Sequence, residues 1–207
     1  MHTKDYTAET ICKCMGMTSF ESDAACTAPA AAMRILLMPS FHPEICITFA
    51  EGQVSVVSAR AMVWHQFKPK PMLTDRAQGS ISAEVFSKLL ASMVPITNPD
   101  AVFGMMIDGM TTELLQFQSG IPVIRAGRDG PNKGNFSAFV RLAITSAWEC
   151  ISNPYCRNAL AEAACYLGMK LPREQEPERK PTIEMMVLGP EEIRTQLLDA
   201  LLRNHKF

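Results

Sequence analysis

Ile45, Ile47 and Phe49 alternate with Cys46, Thr48 and Ala50, the two-residue period of a strand. Glu51-Gly52 supplies a turn, and Val54, Val56 and Val57 bring the chain back, so residues 44–59 are expected to form a β-hairpin. The run Arg34–Met38 ahead of it is short, apolar and closed by Pro39, which predicts another strand. Val102–Ile107 and Met110–Gln118 flank Asp108-Gly109, a dipeptide that suits a tight type I′ turn, and a second hairpin is expected there. Gly120 and Pro122 bracket a further short strand through Val123 and Ile124.

Helical spacing governs three other segments. After Ser82, a capping residue, Val85, Phe86, Leu89, Leu90 and Met93 recur at three and four until Pro95 stops the pattern. Asn135 is expected to cap a strongly apolar helix through Phe136, Phe139, Val140, Ala143, Ile144, Ala147, Trp148 and Ile151. Asn153-Pro154 opens a helix with Cys156, Leu160, Ala163, Ala164 and Leu167 on its inner stripe, ending at Gly168. Strands that come in pairs and helices that cluster predict an α+β fold. The expected architecture is a mainly antiparallel sheet built from hairpins, packed against a helical hairpin and additional amphipathic helices.

Around this core domain, 33–171, the pattern lapses. Residues 1–32 hold no period for long and are expected to form a poorly ordered leader, and residues 66–81, with Lys68-Pro-Lys-Pro71, read as a loop. Residues 172–181 form a charged, proline-punctuated linker by composition. Beyond it, 182–207 reads as a strand–helix appendage: Thr182–Leu188, then a helix opening at Gly189-Pro190 with Ile193, Leu197, Leu198, Leu201 and Leu202 on one face.

Composition narrows the function classes. Twenty Lys and Arg against twenty-one Asp and Glu give a net charge of −1, with no global field to draw nucleic acid. No apolar run reaches the roughly 18 residues of a membrane span, and the early acids Asp5, Glu9, Glu21 and Asp23 do not fit a secretory signal. Seven cysteines, several inside apolar patterns, suit reduced thiols and a cytoplasmic location.

Two stretches carry candidate chemistry. Cys12, Cys14, Met15 and Met17 place soft sulfur ligands close together, as a Cu(I)-like ion requires. Arg125, Arg128 and Lys133 lie in a glycine-rich stretch running into Asn135, where freed N–H groups and a helix start would seat an anion or an acidic partner. Thiol catalysis would need Cys46, Cys150, Cys156 or Cys165 beside His42 or His65, and a carboxylate site would draw on Asp108 and Glu113. No Walker A, G-x-G-x-x-G, H-E-x-x-H or G-x-S-x-G string occurs, so no catalytic residue is assigned and no cofactor is implied. The expected function is a non-catalytic intracellular module that binds another protein, adaptor- or inhibitor-like, with fourteen methionines able to fit irregular apolar contacts. The alternatives are an enzyme or binding protein for an anionic small molecule, using the basic stretch 125–135, and soft-metal handling by the leader.

Overall fold

The computed structural model describes residues 7–63, 70–93, 109–129 and 134–179. The chain divides into two compact units, Met1–Glu176 and Pro177–Phe207, and only residues 177–179 of the second are described. The strand and helix expected beyond Thr182 and Gly189 lie outside the described residues.

Six strands make one sheet: β1 (Ala31–Pro39), β2 (Ile45–Ala50), β3 (Gln53–Ala59), β4 (Thr74–Ser80), β5 (Met110–Gln118) and β6 (Ile121–Asp129). Their order is β4-β3-β2-β1-β5-β6, and every neighbouring pair is antiparallel. Helices α3 (Ala83–Met93), α4 (Gly134–Cys150) and α5 (Pro154–Tyr166) pack on one face, whereas α1 (Ala8–Cys14) and α2 (Ala24–Thr27) belong to a second apolar cluster on the other. The fold is α+β, as the pairing of strands predicts.

The β2–β3 hairpin turns at Glu51-Gly52, with Ala50 opposite Gln53 and Gly52 at φ 75°. The hairpin containing β5 differs from expectation. Both edges of β5 are taken, by β1 and by β6, and the turn to β6 is Ser119-Gly120. Both turn residues have positive φ, 49° and 79°, the geometry of type I′. The run Val102–Ile107 and Asp108 lie outside the described residues.

Two segments expected as loops are strands. Thr74–Ser80 lies within the predicted 66–81 loop, and its only buried residues are Asp75 and Ala77. Such a strand has little hydrophobic alternation and owes its conformation to the ladder with β3. Arg125–Asp129, expected in the basic loop, completes β6 beside β5.

The helices follow their stripes closely. Ser82 Oγ accepts from Val85 N, and Phe86, Leu89 and Met93 are buried. Asn153 Oδ1 accepts from the N–H groups of Tyr155 and Cys156, so Pro154 sits where its missing donor costs nothing. At Gly79 on β4, an added Cβ would lie 2.0 Å from the Cys150 carbonyl oxygen at the end of α4. Gly79→Ala is therefore expected to cost about 3 kcal/mol, because the clashing oxygen is backbone and cannot rotate away. A urea midpoint unchanged from the parent protein would refute this packing.

Residues 7–30 are not the loose leader that their lack of period suggests. Ile11, Met15 and Phe20 are each at most 2% exposed and pack with Leu36, Leu115 and Phe117 from the back of the sheet. Helices of seven and four residues are too short to display a period, which is why the order was hidden. The start of the predicted linker is likewise strapped down. Asn158, 9% exposed on α5, accepts from Glu174 N at 2.8 Å and donates to Glu174 O at 2.9 Å.

Candidate functional site

Arg34 sits at the middle of β1 on the face covered by residues 7–30, and it is 1% exposed. A buried guanidinium needs its donors satisfied. Nε donates to Thr48 Oγ1 at 2.9 Å, Nη1 to Ser19 O at 2.6 Å, and Nη2 to the Asp23 carboxylate at 3.0 Å. The arginine thus ties the N-terminal segment to the sheet. Strand register extends the polarity sideways: Arg34 lies opposite Thr48, Thr48 opposite Ser55, and Ser55 opposite Gln78. This transverse row floors a cleft of about 280 Å³ roofed by Met17, Thr18, Asp23 and Ala25. Arg76 lines the same cleft and donates to the carbonyls of Met15 and Gly16.

The two cysteines of α1 do not share one side of the helix. Cys12 and Cys14 lie two apart on α1, roughly 200° around the helix. Hydrogen bonding to Cys46, with burial, pushes the Cys12 thiol far above its usual range, and Cys14 is raised by burial and by the charge of Glu44. Burial pushes nearby Cys26 up to about 12, against the opposing charge of Arg34. These are neutral thiols packed as small apolar groups, and Met15 is fully buried among them with Met17 partly buried alongside. Among the described residues, no group of three or more His, Cys, Asp or Glu side chains could hold a metal ion.

The basic stretch is also redistributed. Arg125 extends from β6 to ion pairs with Glu21 and, at 3.7 Å, Glu113. Arg128 pairs through its backbone with Thr112 in the ladder, and Lys133 lies outside the described residues. Asn135 is the second residue of α4 and so lies inside the helix instead of capping it. Arg125, whose charge is met by two carboxylates, and Asn135 are therefore not parts of one loop.

Among the catalytic candidates, His42 Nδ1 lies 2.9 Å from Tyr166 Oη, and its Nε2 is 4.0 Å from Glu162 on α5. His65 and Asp108 are outside the described residues. Cys156 sits 3.8 Å from the Ser58 hydroxyl, and the Cys165 thiol donates to the Ala161 carbonyl within its own helix. A second cavity, about 310 Å³, has Glu44 and Glu113 in its wall. Glu44 is fully buried and takes Val63 N on both carboxylate oxygens, at 3.1 and 2.8 Å, while Glu113 faces Arg125.

The two margins of the sheet differ. On β4, Asn153 Nδ2 donates to the Arg76 carbonyl, Asp75 pairs with Arg60 at 3.1 Å, and every side chain but Ala77 is polar or absent. Such features guard a margin against a further strand. On β6, Ile121 is 66% exposed and Val123 49%, and among the described residues no strand pairs with its outer edge. Pro122 removes a single donor near the start.

Sequence reading missed Arg34 and the cleft. The one available signal was a cation inside an otherwise apolar strand, since Met33-Arg34-Ile35-Leu36-Leu37 admits no charge unless partners wait for it. Among the described residues, no helix is long and apolar enough to cross a membrane. No family model matches the chain, and neither does any curated protein or solved structure.

Proposed function

We propose that this chain is a protein-binding module that receives an extended segment of a partner along the outer edge of β6. The observation that carries this reading is the nine-residue edge strand Ile121–Asp129, which bears two exposed aliphatic side chains and no lysine guard. An unpaired edge presents alternate N–H and C=O groups to a newcomer, and side chains beside it set specificity. Ile121 and Val123 supply apolar contact, so the partner segment carries apolar residues at alternate positions.

Selection from a displayed random-peptide library, with the whole protein immobilised, tests this. The expected winners alternate apolar residues and lose at least about tenfold in affinity on the double variant Ile121→Lys, Val123→Lys. Methylating alternate backbone nitrogens of a winning peptide is expected to cause a similar loss, since it removes ladder donors without altering side chains. Absence of enrichment, or winners indifferent to both changes, overturns the reading.

A further inference from the structure

We propose that the cleft between residues 16–25 and the strands β3 and β4 binds a small polar carboxylate. Charge balance selects the class. Asp23 is the sole acid in the lining, and Arg34 neutralises it at 3.0 Å. Arg76 then remains as one positive charge without a carboxylate among the described residues; its side-chain hydrogen bonds there use Nη2 alone, on the Met15 and Gly16 carbonyls. One net positive charge matches a singly charged carboxylate better than a doubly charged phosphate monoester.

The neutral groups fix the rest of the ligand. Among the described residues, none hydrogen-bonds the side chains of Thr18, Ser55 or Gln78, and all three line the cleft. Two hydroxyls and an amide beside a guanidinium can donate to carboxylate oxygens and also accept from hydroxyls on the ligand. The cleft of about 280 Å³ lies near the lower end of the volumes that hold small molecules, which are roughly 300 Å³ and upward. A hydroxy acid of a few carbons meets these requirements of charge, donors and size.

Backbone amide spectra of the intact protein titrated with lactate, gluconate and inorganic phosphate provide the test. Saturable shifts confined to residues 16–18, 55 and 76–78 are expected with the hydroxy acids, with phosphate at least about tenfold weaker. Arg76→Gln is expected to lower the hydroxy-acid affinity at least about tenfold. Because Arg76 also holds the Met15 and Gly16 carbonyls, Ser55→Leu serves as a second variant that fills the cleft floor and leaves those bonds intact. It is expected to abolish the shifts while the remaining spectrum is preserved. Shifts that fail to saturate, scatter over the surface, persist in Ser55→Leu, or are matched by phosphate overturn the assignment.

Discussion

A chain beginning at Met33 is expected not to fold. Truncation there removes Ile11, Met15 and Phe20, each buried against the back of the sheet, and uncovers Leu36, Leu115 and Phe117. At about 2 kcal/mol per buried side chain, the three lost residues alone account for about 6 kcal/mol. The net stability of a domain is only about 5–15 kcal/mol, so the remainder would be largely unfolded or aggregated. Circular dichroism melting and gel filtration of the 33–207 chain decide the matter. A cooperative melt within a few degrees of the full chain would show that residues 7–30 contribute no essential cover.

Replacing Arg34 has the next largest expected effect. Arg34→Met keeps most of the volume but strips the donors from Thr48 Oγ1, the Ser19 carbonyl and Asp23. Breaking a buried pair from one side costs about 3–5 kcal/mol. Asp23 retains 20% exposure and can be rehydrated, which places the expected loss at about 3 kcal/mol. Arg34→Lys recovers less than half, because an ammonium on a flexible stem cannot reach a hydroxyl, a carbonyl and a carboxylate in one planar fork. Asp23→Asn, altering the more exposed partner, is expected to cost about 1 kcal/mol. Urea unfolding of the three variants gives the ranking Met, Lys, Asn in falling severity, and any other order refutes the role assigned to the guanidinium.

Legibility in the sequence tracks how far each element is stabilised by its own pattern. Helices α3, α4 and α5 bury the stripes their spacing predicts, and Asn153-Pro154 announces the start of α5. The β2–β3 hairpin was equally plain. By contrast, β4 buries only Asp75 and Ala77, and nothing in Thr-Asp-Arg-Ala-Gln-Gly-Ser anticipates a ladder with β3. Asp108-Gly109 fits a tight turn well, yet the hairpin from β5 uses Ser119-Gly120, because turn propensity does not say which strand lies alongside. The cleft was hidden for a related reason. Arg34, Thr48, Ser55 and Gln78 are scattered in the chain and become neighbours only through register. The outer edge of β6 was invisible because edge status depends on strand order.

Grease on both sides of β1 has a price in fidelity: sliding that strand one notch against β2 or β5 would exchange aliphatic groups for aliphatic groups and go unpunished by the usual inside–outside contrast. Arg34 restores the penalty, because a one-notch slip would thrust its cation among Ile47, Leu114 and the helical layer, far from any oxygen that could receive it. A single ionic residue therefore acts as an alignment key during assembly, rejecting misthreaded sheets that hydrophobic packing alone would tolerate.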